Sequence, residues 1–169
     1  MNIDKYRENR KKRLVSCGFR YFLHFFGDRA CIKDYVFIDP PYDAYNFKGT
    51  PNDYLFDTAT WGDEQFCLMC SGETLGQVAC QYEGTDLWVG WSMVPKLCGQ
   101  GYGAAFVQRC VTELCRVKNH HGRVLLRVSA RNHRAIRAYE KAGFQYLETI
   151  QDEIAYTGVI EDFLVMWRV

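Results

Sequence analysis

From Leu87 the chain reads Leu87-Trp88-Val89-Gly90-Trp91-Ser92-Met93-Val94-Pro95-Lys96-Leu97-Cys98-Gly99-Gln100-Gly101-Tyr102-Gly103-Ala104. The first part is apolar at nearly every position and stops at Pro95. A strand covered on both faces reads this way, whereas an edge strand facing water does not. Gly90 inside it predicts a bulge or the close approach of another backbone. Glycines then alternate at Gly99, Gly101 and Gly103. Behind them apolar residues recur at Val107, Val111 and Leu114, with Cys110 and Val117 beside them. That spacing is one face of a helix running from Gly101 to about Lys118. Glycines let a backbone turn tightly and bring its N–H groups close to a ligand. The first N–H groups of a helix lack internal partners and carry the positive end of its dipole. A diphosphate suits such a turn; a purely structural turn is the alternative.

Two familiar phosphate motifs do not fit. A P-loop needs Gly-Lys-Ser/Thr after its last glycine, and here Ala104-Ala105 follow Gly103. A dinucleotide fingerprint needs G-x-G-x-x-G in a βαβ unit. This turn is G-x-G-x-G, and the first half of the chain lacks the βαβ pattern.

Working outward, Asn119 to Gly122 end the helix, and Val124 to Val128 form a short strand. Asn132 is a good N-cap. Ala135, Ile136, Tyr139 and Ala142 repeat at helical spacing, and Gly143 fits the stop after the helix. Phe144 to Ile150 and Asp162 to Val169 read as two closing strands. Upstream, Gln65 to Cys70 and Gln77 to Tyr82 form a hairpin across Ser71-Gly72-Glu73-Thr74-Leu75-Gly76. Phe19 to Phe26 fits a first strand, and residues 29–37 a helix stopped by Asp39-Pro40-Pro41. The ring-rich segment from Tyr42 to Trp61 is either a lid or binding loop, or a roof on the core. Residues 1–16 are polar and basic, a short helix with a solvated face rather than a nucleic-acid arm. Helices alternate with strands only in the second half, so the fold class is α/β (α+β) with a central mixed sheet flanked by helices.

At 169 residues the chain is expected to form one domain, and its core is large enough to need no staples. No stretch approaches the ~18 apolar residues of a membrane span. A formal charge of +1 makes no case for nucleic acid as the main partner. Of the eight cysteines, Cys110 and Cys115 sit in apolar periodic runs and behave as small hydrophobes. Cys67 and Cys70 form the one C-x-x-C, but three positions apart on a strand they face opposite sides. Reduced thiols in a cytoplasmic protein are the reading, with no metal.

In this order the pieces resemble the GNAT (N-acetyltransferase) superfamily, in its bacterial type. Its cofactor signature, Q/R-x-x-G-x-G/A, is matched by Gly101 and Gly103 after a strand ending in Val94-Pro95. Its later signature, N-x-x-A-x-x-x-Y-x-x-x-G-F, is matched without a gap by Asn132, Ala135, Tyr139, Gly143 and Phe144. The turn Gly72 to Gly76 and the final strand Asp162 to Met166 also look like the family's. The resemblance covers residues 65–169 well, as a cofactor-binding core. Residues 17–64 form a variable acceptor-side part and 1–16 an added segment. There are two departures. Cys98 stands at the Gln/Arg position, and Arg127 stands where many members carry a glutamate, so no base is carried over there.

The resemblance implies transfer of acetyl from acetyl-CoA to a primary amine of a small molecule or peptide, by direct attack. The cofactor would sit between the central strand and the next, which splay apart. Backbone near Ser92, Met93 and Val94 would bind the pantetheine and acetyl carbonyl, and an N–H there can stabilise the oxyanion. Gly99, Gln100, Gly101, Tyr102, Gly103 and Ala104 would hold the diphosphate. Asn132 and Ala135 would reach the pantetheine side. Tyr139, two helical turns after Asn132, would be the general acid for the leaving thiolate; a packed aromatic on the buried face is its alternative. Asp86 and Glu83 are the nearest acidic candidates for a base, with a water chain as an equal choice. The protein is expected to be a monomer or homodimer, without membrane or nucleic-acid partners. A non-catalytic CoA-binding or sensing module, in which Cys98 and Arg127 mark lost chemistry, is the alternative function.

Overall fold

The computed structural model describes residues 14–16, 19–24, 63–70, 73–153 and 159–169, the first two ranges by backbone alone. The expected helix over 29–37, the aromatic segment over 42–61 and the basic residues before Leu14 lie outside them. The strands are β1 (Leu14–Ser16), β2 (Phe19–His24), β3 (Gln65–Cys70), β4 (Glu73–Glu83), β5 (Asp86–Met93), β6 (Val124–Ser129), β7 (Gln145–Glu153) and β8 (Ile160–Arg168). Two α-helices are described, α1 (Gly103–Lys118) and α2 (His133–Lys141), with a 3₁₀ turn at Pro95–Leu97 before α1.

One sheet runs in the order β1-β2-β3-β4-β5-β6-β8-β7. Every neighbouring pair is antiparallel except β5 with β6. A parallel pair needs a crossover, and α1 supplies it. The mixed α/β sheet expected from the pattern is therefore present. Leu14–Ser16 departs from the polar helix expected there, because its backbone pairs with Phe19–Tyr21.

The core is built from Phe66, Leu68, Val78 and Leu87 on the strands, packed against Val107, Cys110 and Leu114 of α1. Alternation puts Gly76 of β4 and Trp91 and Met93 of β5 on one face of the sheet. Phe106 of α1 lies over Gly76 on this face, and Tyr139 of α2 lies against Trp91. Gln108 Nε2 donates to the Lys141 carbonyl at 3.3 Å, tying the two helices side by side.

Gly90 is neither bulge nor close approach. The β4–β5 ladder passes through it unbroken, and a Cβ there would meet nothing within 4 Å. The close approach falls on Gly76, where a Cβ would lie 2.4 Å from both the Phe106 ring and the Ser92 carbonyl. The register shift of the hairpin is between Leu68 and Met69. It lets β4 begin at Glu73, inside what the sequence marks as the turn.

Candidate cofactor cleft and active site

Strand β5 is paired with β4 along its whole length but with β6 at only two positions, Leu87 with Val124 and Trp88 with Leu125. The Leu87 N–H donates to the Arg123 carbonyl at 3.0 Å, and beyond Trp88 the two strands part. Strand β6 stays paired with β8 from Val124 to Ser129. The result is a cleft in the middle of the sheet, lined on the β5 side by backbone groups without a ladder partner. Successive residues of a strand aim their N–H and C=O groups to opposite sides. Leu87 faces β6, so Val89, Trp91 and Met93 face the cleft. Val94 donates to Leu75 of β4 at 3.0 Å, and the Ser92 carbonyl also points toward β4.

At the mouth of the cleft the chain turns through the 3₁₀ segment and residues 98–102 into α1. Gly99 has φ +75 and Gly101 φ +85, and a Cβ at either would project into open space. Tyr102 occupies the N-cap of α1 and makes no side-chain cap, and the first turn carries no acidic residue. These first amides and the dipole leave the helix start receptive to an anion. Gly103 has a different reason to be glycine, since its Cβ would stand 3.2 Å from that of Ala138. It lets the start of α1 lie close on α2.

Helix α2 carries the other side of the site. The Asn132 side chain accepts from the Ala135 N–H at 3.1 Å and starts the helix. Gly143, at φ +91, ends it, and its N–H donates to Glu140 at 2.9 Å. Arg168 then fastens the end by donating to the Ala142 carbonyl at 2.6 Å. Tyr139 is half-buried and meets Trp91 edge to face, ring centres 5.9 Å apart. The Trp91 indole N–H donates to the Tyr139 hydroxyl at 3.3 Å. Phe144 closes the triangle at 6.1 Å from Trp91 and 6.2 Å from Tyr139.

A family model described as an acetyltransferase (GNAT) domain matches residues 20–145. The chain belongs to the GNAT acetyltransferase family. Among curated proteins, no significant sequence match is found. Solved structures share the fold at low identity. A GNAT-family acetyltransferase from Bacillus anthracis is 17% identical, with a TM-score of 0.67 over 89% of this chain and 95% of its own. A ribosomal-protein-S5-alanine acetyltransferase from Vibrio fischeri is 14% identical, with a TM-score of 0.66 over 94% and 97%. A spermidine N-acetyltransferase chimera from Vibrio cholerae is 17% identical, with a TM-score of 0.61 over 88% and 95%.

The GNAT signature residues converge at one end of the sheet. Gly99, Gln100, Gly101, Tyr102 and Ala104 form the turn, while Asn132, Ala135 and Tyr139 lie on α2. Of the three backbone positions expected at the thioester, only Met93 faces the cleft. The N–H groups of Ser92 and Val94 are turned to β4 by the ladder register. Asp86 sits at the opposite end of β5 from Met93. Its carboxylate takes two hydrogen bonds from Arg123, at 3.0 and 2.5 Å. Seven residues of strand, about 23 Å, separate it from Met93. Glu83 pairs with Asp86 across the hairpin and is equally remote. Arg127, at the strand position of the family's glutamate, is exposed and ion-paired to Asp152.

The Cys98 thiol turns inward, 3.7 Å from the Met93 carbonyl and 3.6 Å from that of Val94. Burial pushes its pKa above the ordinary thiol range, against the pull of Arg134. Two residues were missed in the sequence, Trp91 and Arg134. Trp91 read as one more apolar strand residue; the signal it offered was an indole N–H that needs a partner when buried. Arg134 offered none. Its charge bears on Cys98 only because α2 starts beside the turn.

Proposed function

We propose that the protein transfers the acetyl group of acetyl-CoA to a primary amine, of a small molecule or a peptide N-terminus, by direct attack. The observation that carries this is the parting of β5 from β6 after Trp88, with the Tyr139 hydroxyl held beside the opening. The fit of the donor substrate rests on the glycine turn. Gly99 and Gly101 leave space where side chains would stand, and the uncapped start of α1 suits a diphosphate. Bound acetyl-CoA supplies an acyl group on a good leaving thiolate. The Met93 N–H, aimed into the cleft, is a donor for the oxyanion. Tyr139 is the proton donor for the thiolate. Solvent takes the proton of the amine, since neither Asp86 nor Glu83 reaches the cleft.

The names of two structural neighbours suggest which amines to try, spermidine and an alanine of a ribosomal protein. Among the described residues no helix is long and apolar enough to cross a membrane. Free cysteines and acetyl-CoA chemistry fit the cytoplasm. The test is acetyl-CoA turnover against spermidine and an alanine-starting peptide, with acetylated product identified by mass. Binding of acetyl-CoA without turnover of any amine favours the sensing module, for which Arg127 in place of a carboxylate speaks.

A further inference from the structure

We propose that Trp91 is a positioning residue for Tyr139, its indole N–H setting the direction in which the phenolic proton points. The inference rests on the transferase reading above. An indole N–H can only donate, so the roles across the 3.3 Å contact are settled: Tyr139 Oη accepts. An oxygen that accepts from Trp91 carries its own proton on another side, turned away from the indole. The Trp91 ring is itself held edge to face against Tyr139 at 5.9 Å and Phe144 at 6.1 Å. It stands on β5 between Val89 and Met93, the stretch that has left β6, so donor and acid belong to the same cleft.

The contact also acts during the reaction. The amine nitrogen attacks the acetyl carbon and forms the C–N bond, while the C–S bond of the thioester breaks and its electron pair goes to sulfur. The proton on Tyr139 Oη moves to that sulfur, and the resulting phenolate keeps the N–H of Trp91. A hydrogen bond to the charged form favours it, so the donated N–H strengthens as charge develops on the oxygen. The attacking amine releases its proton to water, and water returns one to Tyr139.

The first test needs no ligand. The chain has four tryptophans, so the 15N-labelled protein shows four indole N–H resonances, and Trp91→Phe identifies that of Trp91. Tyr139→Phe keeps the ring and removes the acceptor. The Trp91 resonance should then move upfield, and further than the other three. An unmoved resonance overturns the proposal. The second test is kinetic, with spermidine or the alanine peptide as acceptor, or water where neither is used. Trp91→Phe should lower kcat about three- to tenfold, the worth of one neutral hydrogen bond, with KM for acetyl-CoA unchanged. In the Tyr139→Phe background it should add nothing, because its effect runs through the missing hydroxyl. Full activity in Trp91→Phe, or losses that multiply in the double variant, overturn the proposal. Full activity in Tyr139→Phe overturns it too, while leaving the transferase reading intact. Absence of acetyl-CoA binding removes that reading and the proposal with it, whatever the resonance shows.

Discussion

Cys98 stands where the family carries glutamine or arginine, and its side chain does not replace either. Facing the Met93 and Val94 carbonyls, with burial holding the thiol protonated, it is a poor nucleophile. Cys98→Ala should therefore keep acetyl transfer within a few-fold. A trapped acetyl-thioester at Cys98, or ping-pong kinetics, would show the opposite. Arg134 brings a cation near the same turn. Arg134→Ala is expected to weaken CoA binding about two- to fivefold, an effect that shrinks with added salt. Calorimetry at two ionic strengths measures both. For Tyr139 the hydroxyl and the ring can be separated. Tyr139→Phe keeps the packing against Trp91 and Phe144, so melting should hardly change. If the hydroxyl acts mainly in the transition state, kcat falls about 10- to 1000-fold while KM for acetyl-CoA holds. A packing role alone gives full activity in Tyr139→Phe and lost stability only in Tyr139→Ala.

At the scale of elements, the glycines divide by what surrounds them. Gly76 lies beneath α1, and an added methyl meets the Phe106 ring and the Ser92 carbonyl at 2.4 Å. Overpacking of this kind costs about 1–3 kcal/mol, so Gly76→Ala should lower Tm by about 2–12 °C. Gly90→Ala meets open space on a continuous strand and should leave Tm unchanged or slightly raised. Parallel melting curves compare the two, and equal losses would contradict the packing of α1 over β4. Gly101→Val acts differently again. It forces a branched side chain to φ +85 and occupies the space over the turn, so the stabilisation by acetyl-CoA should vanish. Gly103→Val instead pushes α1 off Ala138 and should lower Tm even without ligand.

For the whole molecule, ligand and pH report on the same folding equilibrium. Acetyl-CoA at about 100 times its Kd should add roughly 2.7 kcal/mol, a rise in Tm of about 5–11 °C for a chain of this size. No shift at millimolar CoA would remove the donor-substrate assignment. Desolvation raises the Cys80 thiol from 9.0 to about 11, and burial raises Cys98, Cys110 and Cys115 as well. Between pH 9 and 11 the folded chain keeps protons that the unfolded chain releases. That contribution is whole below pH 9 and is lost as pH rises through the folded values. Urea midpoints should therefore fall as pH rises from 9 to 11, and a flat profile would count against the buried neutral thiols.

The order strand, glycine turn, helix, strand, capped helix could be read directly, because each part is a local pattern. Hydrophobic spacing, Asn132 as N-cap and Gly143 as stop all act within a few residues. So did the gapless run from Asn132 to Phe144, which sets Tyr139 on α2 before any tertiary contact is known. Four things depended on residues far apart in the chain. The cleft exists because β8 takes up the far edge of β6 while β4 holds β5. Which amide among Ser92, Met93 and Val94 faces the cleft follows from the register of β5 on β4. The carboxylate of Asp86 takes its partner from Arg123, 37 residues on. Trp91 joined the site because Tyr139, 48 residues on, supplies an acceptor for its N–H. Periodicity and capping are properties of neighbouring residues, and single positions reveal them. Ladder register and side-chain pairing are properties of two segments at once, and only the folded chain chooses among the partners each segment could take.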